Sequence, residues 1–311
     1  MRLRGTTPRA LLLAAAAALA ACGSAAVPGR VQVLGLDRLS GELTAVDVEL
    51  PGADPAAVRG PTGWVLVGAS IDGGRVVGGS SPDCALTRTA SGAVAAQSAR
   101  CANLLGAYAA LDKARGFLIS AGAEALPAAP IVADAADAPA GLRYVAAADA
   151  YTLTSGPSGA RIPAALNPGA VAREAARRQL RSVATVHRDA VEGAALFIGA
   201  AAAGDPGYLG ASDGEGDPTG QLDLSRPLPA GAPASAVLAG ALWAWADASG
   251  DPVGAARAAL AAIRALGTRA EVGSAHALLS LVAGQLDGAE RDQACAIFRA
   301  HLAAAGIEAC P

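Results

Sequence analysis

The chain has 311 residues, of which 53% are hydrophobic but only 3% aromatic, and its formal net charge is −3. A mildly acidic chain lacks the basic footprint that nucleic acid requires, so that partner class is set aside. So few aromatics demand a core of Ala, Val and Leu, and the length suits one large or two modest domains.

The N-terminus follows an export pattern. Arg2, Arg4 and Arg9 precede the apolar run "ALLLAAAAALA", which at about ten residues is half of the roughly 20 needed to span a bilayer. It therefore reads as a signal segment over residues 1–21. The run ends in "LAAC", Leu19 to Cys22, which resembles the lipobox of bacterial lipoproteins. That resemblance implies cleavage before Cys22, lipidation of its thiol and a membrane anchor. Gly23 and Ser24 follow with no Asp, so by the same analogy the protein passes to the outer membrane or cell surface. An ordinary signal peptide with a chance cysteine is the alternative. Loss of the three arginines takes the net charge from −3 to −6. Residues 22–29, with "SAAVPG", read as a tether.

Four further cysteines, Cys84, Cys101, Cys295 and Cys310, suggest two disulfides in an exported chain. Three connectivities are open. Local pairing fits best, because the four form two close pairs, each closing a loop of about 15 residues worth roughly 3 kcal/mol in the chain-entropy model. A four-cysteine zinc site is the rival, but no Cys-x-x-Cys spacing is present.

Residues 30–162 read as β-rich with one helix. "RVQVLGL" and "ELTAVDVEL" alternate apolar and polar residues, and "GWVLVGASIDGGRVVGG" reads as two strands about Asp72, Gly73 and Gly74. From Val94 the period turns helical, with Leu104, Tyr108, Leu111 and Leu118 on one stripe and a stop at Gly122. "PIVADA" and "RYVAAADAYTLTSG" follow as strands. Residues 163–311 read as almost wholly helical, over about 169–186, 190–203, 234–248, 253–266, 274–283 and 289–304. Gly204, Gly250, Gly267 and Gly284 stand where left-handed caps are expected. The fold class is thus α+β.

Two stretches bear on chemistry: "NPGAVAREAARRQL", Asn167 to Leu180, and "AVEGAALF", Ala190 to Phe197. A gluzincin site needs two histidines four residues apart on one helix, a Glu after the first to polarise the metal-bound water, and a Glu from the next helix as third ligand. The segment from Asn167 to Phe197 resembles that arrangement as found in fungalysin-like metallopeptidases, in which "NPG" opens the zinc helix and "(D/N)EGxAD" the next one. "RYVAAADAYTLTSG" resembles their edge strand, "AYAALDKARGFLISAG" the preceding helix and "AVLAGALWAWADASGD" the helix after the site. The resemblance places Arg173 and Arg177 at the two histidine positions, Glu174 at the general-base position and Glu192 at the third-ligand position. Arginine stays protonated and cannot ligate a cation, Val191 and Leu196 replace the acids, and His187, His276 and His301 form no ligand pair. The implied cofactor is therefore none, with zinc lost, and a carboxylate stranded at Glu192 calls for Arg173 or Arg177 as its partner. A solvated Arg/Glu helix with no such ancestry is the competing reading of "AREAARRQL".

Other constellations carry less. "GASDG" around Ser212 matches a nucleophile elbow but has turn-forming flanks instead of a strand and a helix. Asp213, Glu215 and Asp217 alternate as in a calcium loop, yet Leu224 stands where a bidentate Glu is expected, so a solvated acidic loop is preferred. His276 and His301 read as packed or capping. Trp243 and Trp245 cannot share a helix face, so one is core and the other partly exposed. The function expected from all this is a lipid-anchored envelope protein, a catalytically inactive metallopeptidase-like binder or scaffold, with a peptide or another envelope protein as partner. An active hydrolase built on Glu174 and Glu192, as paired carboxylates act in glycosidases, and a purely structural lipoprotein are the alternatives.

Overall fold

The computed structural model describes residues 29–36, 43–135, 141–154, 166–208, 222–228, 231–267, 274–303 and 310, with the side chains of 274–276 left aside. Cys22, Ser212, Asp213, Glu215 and Asp217 lie outside the described residues, as does the side chain of His276.

The architecture is α+β, with strands first and helices after them. Two sheets make up the N-terminal half. In the first, β1 (Arg30–Leu36) pairs antiparallel with β2 (Leu43–Glu49) and parallel with β6 (Val94–Ala96), which carries β5 (Leu86–Arg88) on its far side. In the second, the order is β4-β3-β7-β9-β8, where β3 (Gly63–Asp72), β7 (Ala129–Ala133) and β9 (Ala150–Thr154) run parallel. The antiparallel edges are β4 (Arg75–Ser80) and β8 (Gly141–Val145). The hairpin about Asp72, Gly73 and Gly74 forms where the turn residues place it, with Gly73 and Gly74 at positive φ.

Helix α1 (Ala99–Ser120) is capped by Ser98, whose side chain accepts from the Cys101 amide, and it buries Leu104, Tyr108, Leu111 and Leu118. Val94 belongs to a strand, not to this helix: three residues paired between β1 and β5 are too short to show a period of two. Among the described residues six helices follow: α2 (Pro168–Gln179), α3 (Arg188–Ala203), α4 (Ala234–Ser249), α5 (Pro252–Leu266), α6 (Ser274–Ala283) and α7 (Gly288–Leu302). α2 stops seven residues before the expected Val186. The segment after it closes in tight turns, Val183 N donating to Leu180 O and Val186 N to Val183 O, which returns the chain towards α3. Gly204 and Gly250 adopt the expected left-handed caps, Gly267 has positive φ with extended ψ, and Gly284 does not turn left-handed.

One cluster of buried residues runs from Val31 to Cys310 and joins sheets to helices, with α1 packed between β1, β6 and α2. As composition requires, alanine and leucine dominate it. Trp245 is buried edge-on to Phe298 while Trp243 is partly exposed. Both disulfides take the local pairing, Cys84–Cys101 and Cys295–Cys310, each with a Cα separation of 5.7 Å.

Candidate functional site

The site lies where edge strand β8 meets helices α2 and α3. Helix α2 begins because Pro168 at its first position already has helical φ and Asn167 caps the free amides, accepting from Gly169 N and Ala170 N. The Asn167 amide also donates to Tyr208 O at 2.7 Å, which locks the cap to the segment after α3. This start fixes the rotation of α2, and a spacing of four then puts Arg173 and Arg177 on one face. That face is turned to α3. Gly193, next to Glu192, lets α3 approach α4 closely, since a Cβ there would stand 2.8 Å from Ser235 O.

Both arginines reach Glu192. Arg173 donates through Nε to Oε1 at 2.8 Å and Arg177 through Nε to Oε2 at 2.8 Å, and the Nη2 of each makes a second contact to the same oxygen. One carboxylate is thus clamped by two guanidinium forks. Arg177 also donates through Nη1 to Glu174 Oε1 at 2.9 Å. Glu174 is 1% exposed; its Oε2 accepts from the Tyr144 backbone amide of β8 at 3.0 Å, and Arg143 Nη1 lies 3.6 Å from Oε1. The four residues named from sequence therefore converge, with Arg177 between the two carboxylates.

Electrostatics follow from this packing. Burial alone would raise the Glu192 carboxyl, but Arg173 and Arg177 outweigh it and hold the group below its ordinary value. A second cluster adjoins the first. Arg178, one residue further along α2 and so rotated by about 100°, is 5% exposed and binds both oxygens of Asp149 at 2.9 and 3.0 Å and Pro127 O at 2.9 Å. The Arg178 hydrogen bonds, offset in part by burial, hold the Asp149 carboxyl below its usual range. Tyr144 donates its hydroxyl to Asp149 Oδ1 at 3.1 Å, and burial with the Asp149 charge pushes that phenol up to about 12.

Sequence reasoning missed Arg143, Tyr144, Asp149 and Arg178. The usable signal was the Arg177–Arg178 pair: two successive arginines in an alanine-rich helix point 100° apart, so a second acid was required. It also left His187 aside, which precedes α3, is 2% exposed and has both ring nitrogens without a hydrogen-bond partner among the described residues. His301 on α7 is half-buried, and burial lowers its pKa.

The donor set does not suit a metal. Two protonated guanidinium groups face the carboxylate that a Zn²⁺ would need, and they repel a cation instead of ligating it. All four carboxylate oxygens of Glu174 and Glu192 accept hydrogen bonds from the protein. No protein-family model matches the chain, and no curated protein matches its sequence.

Proposed function

We propose that this chain is a lipid-anchored envelope protein in which a gluzincin-like metal site has become an arginine–glutamate cluster, and that it acts as a binder or scaffold without cutting its partner. The observation that carries this reading is the clamp on Glu192: the residues at the two histidine positions and at the third-ligand position meet, and cationic side chains stand where the metal would be bound. Beside the clamp lies the edge strand β8, and Glu174, at the general-base position of the resemblance, takes its Tyr144 amide. Because Glu174 takes the Tyr144 amide, a peptide laid along β8 is denied that donor. This favours scaffolding over gripping an extended peptide, with another envelope protein as the partner and Cys22 supplying the anchor.

The test is to give the histidines back. In Arg173→His with Arg177→His, two imidazoles one turn apart and Glu192 form a three-ligand set, so Zn²⁺ should raise the melting temperature of the double variant and leave the parent unchanged. A folded double variant indifferent to Zn²⁺ means that α2 is an ordinary Arg/Glu helix. Parent protein that digests casein, and loses this in Glu174→Gln, defeats the non-enzymatic reading. Cys22→Ser should shift the protein from membrane to soluble fractions; a variant that still sediments with membrane removes the anchor from the proposal.

A further inference from the structure

At the opposite end of α2 from its cap, a cavity of about 310 Å³ opens between the residues after α1, the turn that follows α2, and α5. Its walls include Leu126, Leu180 and Val183 on one hand and Gln179, Arg181 and Arg264 on the other. A smaller cavity of about 30 Å³ shares Glu124, Leu126 and Gln179 with it and reaches Arg115, Tyr151 and Leu118. That inner volume is about the share of one water molecule in the liquid, and so of a compact polar group. The outer volume lies at the lower limit of the range that small-molecule sites occupy.

The cations around this cleft differ in how far the protein already occupies them. Arg178 is fully used, with Asp149 and Pro127 O taking three of its nitrogens. Among the described residues, Arg181 engages Asp149 and Arg178 O through Nη1, and Arg264 engages Gly122 O through Nη1. Arg115, half-buried on α1, has a buried Nε that meets no acceptor among the described residues. A buried guanidinium N–H without an acceptor is costly, and the Arg115 side chain that carries it lines the smaller cavity. Glu124, the one acid in either lining among the described residues, is exposed, where water screens it.

We propose that this cleft is a binding site for a small organic carboxylate on a short aliphatic stem, its carboxylate at Arg115 in the inner niche and its stem against Leu126, Leu180 and Val183. Arg181 and Arg264 at the mouth draw the anion in. A free aliphatic acid and the C-terminal residue of a peptide share this chemistry. The site is separate from the Glu192 cluster and does not depend on how that cluster is read.

Calorimetric titration of the purified full-length protein with N-acetyl-leucine tests it. Saturable binding is expected, with N-acetyl-leucinamide weaker by about tenfold or more, as loss of a charge-assisted hydrogen bond implies. Arg115→Met should weaken binding by a similar factor and Glu124→Gln should tighten it. Ser182→Trp, a substitution at an exposed position lining the outer cavity, should block binding even if Arg115→Met fails to fold. Hexanoate binding as well as N-acetyl-leucine supports a free acid as the natural ligand, and tighter binding of a Leu-terminated peptide supports a peptide end. No saturable binding, equal binding of the amide, unchanged binding in the folded variants, or full displacement by inorganic phosphate would each overturn the proposal.

Discussion

Glu192→Ala asks whether the arginine–glutamate clamp holds the fold. The side chain accepts from Nε and Nη2 of both Arg173 and Arg177. Its removal leaves the two arginines unequal. Arg177 retains Glu174 through Nη1, and its side chain is 32% exposed. Arg173 is 11% exposed and retains no other hydrogen-bond partner among the described residues. Stranding one member of a buried ion pair costs about 3–5 kcal/mol. Water reaching Arg177 and the alanine site, given 21% exposure at Glu192, puts the expected loss at the low end, about 3 kcal/mol. In a chain of this size that corresponds to a melting temperature lower by roughly 5 °C. Denaturant melts followed by circular dichroism give the value directly, and a cycle with Arg173→Ala should show coupling of about 1–3 kcal/mol. The substitution should cost less in the Arg173→Ala background, where the stranded charge is already gone. A loss under about 0.5 kcal/mol, or one abolished by 1 M salt, would show a solvated surface pair and refute the reasoning.

Acid should act through the same groups. Glu192 and Asp149 are both held below their ordinary values, so their contribution is full at neutral pH and is lost as pH falls from about 4 through their folded-state values; Glu192→Gln with Asp149→Asn should flatten the denaturant midpoint between about pH 5 and 3, and an unchanged slope counts against the assignment. His187→Phe replaces two unpartnered buried nitrogens by carbon and should be neutral or stabilising by up to about 1 kcal/mol; a clear loss in the denaturant midpoint would show that the ring has a polar partner. Cys295→Ala with Cys310→Ala opens a link across a sequence separation of 15 and should cost about 3 kcal/mol, measured against peptide mapping that confirms the pairing in the parent.

The sequence reveals contacts that regular geometry imposes and misses those that depend on tertiary placement. Strands β1 and β3 show their period over seven and ten residues, whereas β5 and β6, with three residues each, show none. The clamp on Glu192 was legible because helical spacing brings Arg173 and Arg177 to one face and the resemblance to a gluzincin zinc site set Glu192 opposite them. The Tyr144 amide that meets Glu174 was not, since it lies 30 residues away and depends on β8 sitting at the sheet edge. Asp149 was hidden for a related reason: it turns left-handed between β8 and β9, at φ 45°, and only that turn presents its carboxylate to Arg178.

These contacts form a connected path from sheet to helices. Tyr144 of β8 donates to Glu174 of α2, Arg177 of α2 donates to Glu174 and to Glu192 of α3, and Asp149 between the last two strands holds Arg178 from the other side. Loss of Glu192 strands Arg173 in a largely desolvated region, so the cluster favours one mutual arrangement of β8, α2 and α3 over alternatives in which small apolar side chains would slide. An alanine-rich core packs closely but offers few large, shaped side chains to fix register. The ion-pair path supplies that missing specificity. A rigid junction between sheet and helices is the property that the proposed scaffold would draw on.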